Sequence, residues 1–160
     1  MLHEVAASDL DLTHIVNPIR KLLRRASFFH GDVLRIDLER RLVRVSHGTH
    51  EEHAHDLPWD HLVLALGSVT NFFGTPGLEE RAMTMKTLAD AIALRNRLID
   101  SLEEADFECF PEVRRRLMTF VVAGGGFAGV ETIAAIHDFM HEAVEHYPHL
   151  RAEDVRMVLV

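Results

Sequence analysis

Met118 to Ala123 (Met-Thr-Phe-Val-Val-Ala) runs without a charge straight into Gly124-Gly125-Gly126-Phe127-Ala128-Gly129. Beyond the glycines, Ile133, Ile136, Met140 and Val144 recur at helical spacing to about His146, and Val155 to Val160 is a second apolar run. A short apolar run bounded by glycine reads as a buried strand, and a period near 3.6 reads as a helix. Strand, glycine turn, helix and strand make a βαβ unit, because parallel strands need a crossover between them. A chain built on this segment is α/β.

The spacing Gly124-x-Gly126-x-x-Gly129 carries weight because it follows a strand and opens a helix. The first glycine permits the tight turn and the second lets the backbone approach a pyrophosphate. The third lets the helix pack close to the strand. The helix N-terminus then offers N–H groups and a partial positive charge to the phosphates. A glycine-rich turn that binds nothing is the weaker reading in this context. The acidic residue that would hold a ribose 2′-OH is expected just past Val160, so the sequence leaves NADH and NADPH undistinguished.

Upstream, residues 13 to 26 read as a helix with Ile15, Ile19, Leu22 and Leu23 on one face and Pro18 in its first turn. Strand signals follow at Ser27 to His30, Val33 to Leu38 and Leu42 to Val45, the last two forming an antiparallel hairpin across Glu39-Arg40-Arg41. After a polar, histidine-rich loop, Asp60 to Gly67 reads as a strand buried on both faces. Residues 68 to 86 read as a loop. Thr87 and Asp90 make a capping box that opens a helix to about Asp106, with Leu88, Ile92, Ile99 and Leu102 as its apolar stripe. Pro111 then lies in a short connection ending at Arg114-Arg115-Arg116.

Charge and cysteine content exclude several function classes. Seventeen Lys and Arg against 25 Asp and Glu leave a net charge of −8, spread evenly over both halves. Phosphate-backbone binding needs clustered cations, so no nucleic acid is expected as a partner. Cys109 is the single cysteine and permits neither an internal disulfide nor a cysteine-based zinc site. No stretch is long and apolar enough to span a bilayer, and the first residues lack the pattern of a signal peptide. A cytoplasmic protein is expected.

Twelve histidines invite a metal reading. His47, His50, His53 and His55 crowd one stretch, and His137 and His141 stand one helical turn apart. His141-Glu142-Ala-Val-Glu145-His146 is one residue too long for the zinc-protease helix motif, so His141 and His146 do not share a face. No metal site is expected. Asp138, Glu142 and Glu145 read as a solvated helix face. Cys109-Phe110-Pro111-Glu112 offers one thiol where dithiol exchange needs two.

Phe120 to Glu131, together with Leu62-Val-Leu-Ala-Leu-Gly-Ser68 and Asn71-Phe-Phe-Gly-Thr-Pro-Gly77, resembles type II NADH dehydrogenase. Leu2 to Ala6 and Ile15 to Arg20 resemble it too, so the resemblance covers essentially the whole chain. These are two-dinucleotide-domain flavoproteins that oxidise NADH and reduce a quinone. The resemblance implies an FAD/NAD(P)-binding Rossmann-like, three-layer fold with a small antiparallel β element, and FAD and NAD(H) as cofactors. It implies that residues 1–116 are the middle part of an FAD-binding domain with its connecting helix. Residues 117–160 are then the first βαβ of an NAD(H)-binding domain. On this reading the chain is an interior fragment, inactive alone, of a parent enzyme placed peripherally on the inner face of the cytoplasmic membrane and able to form homodimers.

The resemblance also assigns residues. Gly124, Gly125, Gly126, Phe127, Ala128 and Gly129 match the NADH pyrophosphate loop. Glu131 matches an acid near the nicotinamide–flavin junction, a catalytic assignment, while an acid in a first helical turn is also stabilised simply by the helix dipole. Ala65, Leu66 and Gly67 match the second FAD motif, and Val33 matches a position whose backbone meets the adenine. For these four, ordinary strand packing is the alternative. The chemistry asks little of side chains, since the cofactors carry the hydride and electrons while the protein positions them. Two other functions stay open: a related flavoprotein reducing ferredoxin, sulfide or a disulfide, and a non-catalytic nucleotide-binding module.

Overall fold

The computed structural model describes residues 1–47 and 50–160, and of residues 12, 47 and 50–52 the backbone alone. The side chains of His47 and His50, two of the four crowded histidines, therefore lie outside the described residues. The chain forms two compact units, one of Met1–Val16 with Val69–Val160 and the other of Asn17–Ser68.

In the larger unit, β4 (Thr119–Val122) and β5 (Arg156–Leu159) pair in parallel with Phe120 opposite Met157 and Val122 opposite Leu159. The helix α7 (Phe127–Val144) connects them, so the predicted βαβ unit is present. Its buried positions are Thr132, Ile136, Met140 and Val144, a spacing of four that keeps one face inward. Opposite lies α5 (Leu88–Phe107), opened by a complete capping box between Thr87 and Asp90. The core joins Leu98, Leu102 and Ala105 of α5 to Met118, Ile136, Met140, Val144 and Leu150. Burying a side chain the size of Leu or Met stabilises by about 1.5–3 kcal/mol, so these positions dominate the unit.

The buried face of α5 is rotated from the expected stripe. It carries Ala91, Leu98, Leu102 and Ala105, while Ile99 is exposed. The short helix α1 (Leu2–Ala6) explains this: Val5 and Ala6 pack on Ala91, where a small side chain lets two backbones come close. The connection at Pro111 is itself helical, as α6 (Pro111–Leu117), with proline in the first turn where its missing N–H costs nothing.

The helix expected over 13 to 26 is two single turns, α2 (Leu12–Ile15) and α3 (Ile19–Leu22). Pro18 disfavours helical geometry at Asn17, and Val16 already leaves it with ψ at 107°. Ser27 to His30 is not a strand. The hairpin is present as β1 (Val33–Asp37) against β2 (Leu42–His47), and β3 (His50–Pro58) continues the antiparallel sheet where a polar loop was expected. Backbone pairing with β2 suffices for that strand without apolar alternation. Asp60 to Gly67 departs furthest from expectation: it joins no ladder, and Val63, Leu64 and Leu66 are exposed. An apolar run becomes a buried strand only when neighbours pair with both its edges, and among the described residues none does. Residues 68 to 86 are a loop apart from α4 (Leu78–Arg81).

Candidate dinucleotide site

The end of β4 and the start of α7 are joined by a turn that only glycine can make at two places. Gly124 adopts φ of +122°, and its N–H donates to the carbonyl of Val160 at 2.7 Å, extending the parallel ladder to the lip of the turn. At Gly129, any Cβ would overlap the carbonyl of Gly124, so this residue sets how closely α7 meets the strand. The first and third glycines thus do what the spacing predicted.

Gly126 and its neighbour differ. A Cβ at Gly125 or Gly126 would meet no heavy atom within 4 Å, so the backbone there faces open space. Neither the fold nor φ demands glycine at Gly126, where φ is −77°. A ligand coming close to the chain would demand it.

Gly126 is also the N-cap of α7 and has no side chain to supply the usual cap. The N–H groups of Phe127, Ala128 and Gly129 precede the first intrahelical bond, in which Val130 N–H donates to the Gly126 carbonyl at 3.0 Å. The first turn holds no acidic residue, so the positive end of the helix dipole is uncompensated. Phe127 is 92% exposed beside this opening. The arrangement suits an anion with several oxygens, and a pyrophosphate fits it.

Glu131 lies in the second turn of α7, not the first, so the dipole reading of this acid fails on position. Its carboxylate is half exposed, with Oε2 3.5 Å from Nδ1 of His3 on α1. The sequence held no signal for this pair, which joins residues at opposite ends of the chain. Val33, Ala65, Leu66 and Gly67 belong to the Asn17–Ser68 unit. Val33 opens β1 opposite Val45; Ala65 and Leu66 are exposed, and Gly67 is left-handed at φ of +76° with open space around it. Strand packing, the alternative reading for these four, does not hold at Ala65 to Gly67, which lie outside any sheet.

Comparison with known proteins bears on the same segment. The chain is 37% identical over 155 residues to the external alternative NADH-ubiquinone oxidoreductase, mitochondrial, of Yarrowia lipolytica, covering 91% of this chain and 26% of that protein. It is 33% identical to the external alternative NAD(P)H-ubiquinone oxidoreductase B1, mitochondrial, of Solanum tuberosum, covering 94% of this chain and 28% of that one. The chain thus spans little more than a quarter of the length of these relatives. The solved structure of NDH2 from Plasmodium falciparum in complex with RYL-552 superposes with a TM-score of 0.84 at 23% identity, covering 99% of this chain and 33% of that one, and it shares the fold. The profile of the pyridine nucleotide-disulphide oxidoreductases matches residues 2–158, all but the ends of the sequence, and the chain belongs to that family.

Proposed function

We propose that this chain supplies the NAD(H) pyrophosphate cradle, and part of the FAD-binding domain, of a flavoprotein that passes hydride from NADH to FAD and electrons on to a quinone. The observation that carries the reading is the open, uncapped glycine turn at Gly124–Gly129, where Gly126 is unexplained by the fold. Similarity to proteins named NADH-ubiquinone oxidoreductases supports the choice of donor and acceptor. Bound flavin would supply a two-electron acceptor for the nicotinamide hydride.

The chain's own residues bind and orient. Backbone N–H groups of Phe127, Ala128 and Gly129 hold the phosphates, and Gly125 and Gly126 keep the approach clear. Glu131, one turn further along α7, holds a proton or orients the nicotinamide, with His3 as its neighbour. Val33, Ala65, Leu66 and Gly67 contact FAD. The division by ligand places residues 1–116 with FAD and 117–160 with NAD(H), and it runs through a single packed core, since α5 and α7 share it. No helix among the described residues is long and apolar enough to cross a membrane. A peripheral place on the membrane that carries the quinone suits the proposed acceptor.

Gly126→Val tests the cradle. Its Cβ would meet no heavy atom of the protein within 4 Å and would stand in the space a phosphate would take. Losing two charge-assisted hydrogen bonds, at about 1.5–3 kcal/mol each less residual contacts, predicts NADH affinity lower by about 2–4 kcal/mol with an unchanged fold. Ligand-observed NMR of NADH against both chains, with circular dichroism as the folding control, reads this directly. Equal NADH contact in the two chains would remove the nicotinamide assignment.

A further inference from the structure

We propose that His137 and His141, on the exposed side of α7, form a two-histidine site for a borderline divalent transition-metal ion of the Cu²⁺, Ni²⁺ and Zn²⁺ class. The residues stand four apart, and their rings lie side by side with centroids 4.0 Å apart and planes inclined by 30°. Residues at this spacing are neighbours on a helix surface, so both side chains can reach one ion.

The hydrogen bonds decide what the rings can do. Nδ1 of His141 is 2.9 Å from the carbonyl oxygen of His137, which can only accept, so Nδ1 carries the proton. Nδ1 of His137 is 3.0 Å from Oδ1 of Asp138, a carboxylate that likewise accepts. In the neutral imidazole each ring then has its lone pair on Nε2. Neither Nε2 has a hydrogen-bond partner among the described residues. A ring N–H given to a carboxylate or backbone carbonyl, with the other nitrogen free, is the arrangement that orients metal-binding histidines. Imidazole pairs suit copper, nickel and zinc, with copper held tightest in the general order of divalent affinities.

Among the described residues no third His, Cys, Asp or Glu completes the set, so water or a small ligand would take the other positions. Asp138 and Glu142 add negative charge on the same helix. The sequence expectation of no metal site covered His137 and His141 as well as His141 and His146; the proposal departs from it on the ring geometry and hydrogen bonds of the first pair. The site is independent of the nucleotide cradle.

The test is a Cu²⁺ titration of the full, untagged chain, followed by calorimetry and by electron paramagnetic resonance for nitrogen coupling. His137→Ala, at an exposed position, and His141→Ala, at a half-buried one, each remove one ligand where alanine favours helix, and circular dichroism confirms that α7 persists. Histidines elsewhere bind equally in every variant, so differences report this pair. Each single variant is expected to lose this pair's share of the two-nitrogen signal and to weaken the site about tenfold or more, because a chelate's second ligand acts at high effective concentration. The double variant should be no weaker than either single one. Unchanged binding in either single variant, or losses that simply add, would overturn the site and leave the pair as a ring stack.

Discussion

Tyr147 is the only tyrosine in the chain, and its hydroxyl donates to Oε1 of Glu103 at 2.8 Å. Burial raises its pKa first, and the hydrogen bond and charge of Glu103 add to this, bringing it to about 12. A phenol raised in the native state stabilises it fully below the unfolded value of about 10 and loses that contribution as pH climbs from there toward the native value. Phenolate absorbance in the native chain should therefore rise near pH 12. Glu103→Gln should bring that midpoint down without restoring the ordinary value, since burial remains. A wild-type midpoint near 10 would contradict both causes. At this scale the sequence was legible where a requirement is local. The demands on Gly124 and Gly129 follow from one turn, whereas the neighbour of Glu131 is His3, set by how α1 packs.

The two long helices begin in opposite ways. At α5, Asp90 N–H donates to Oγ1 of Thr87 at 3.1 Å, and Oδ2 of Asp90 accepts from the N–H groups of Lys86 at 2.8 Å and Thr87 at 2.9 Å. At α7 the cap is bare. A sealed end serves stability, and an open one leaves its N–H groups available. Thr87→Ala should cost about 0.5–2 kcal/mol, read from the denaturant midpoint. The accepted N–H bonds hold the Asp90 carboxyl below the usual range. A depressed carboxyl stabilises fully above the unfolded value of about 3.9, and the gain disappears as pH falls through the lower native one. The stability difference between wild type and Asp90→Asn should thus shrink on acidification, and a constant difference would refute the capping role. Capping boxes and the βαβ unit were readable because their partners lie within a few residues. The apolar run at Leu62 to Leu66 misled because strand pairing depends on neighbours that its own composition does not specify. The strand β3 was missed for the converse reason, since its pairing with β2 needs no apolar pattern.

Stability is distributed unevenly over the whole molecule. The unit of Met1–Val16 and Val69–Val160 holds both hydrophobic clusters, while Asn17–Ser68 buries only Val45 and Ser46 among the described residues. Local opening is easiest where few apolar contacts must break, so amide exchange should separate the two. Amides of α5, α7 and β4 should exchange slowest, and those of β1 to β3 through a lower-energy opening. Leu62 to Gly67, bonded into no ladder, should be unprotected and should be the first segment cut by a protease selecting for leucine. Simultaneous exchange of all segments would mean that the smaller unit is held as firmly as the core. The same measurement repeated with FAD tests the assignment of Val33, Ala65, Leu66 and Gly67. If these residues contact the cofactor, exposed backbone becomes covered backbone, and protection should appear at Ala65 to Gly67 and at the start of β1 while α5 stays unchanged. Protection that leaves these positions untouched would detach them from FAD and leave the exposed leucines without a ligand to cover them.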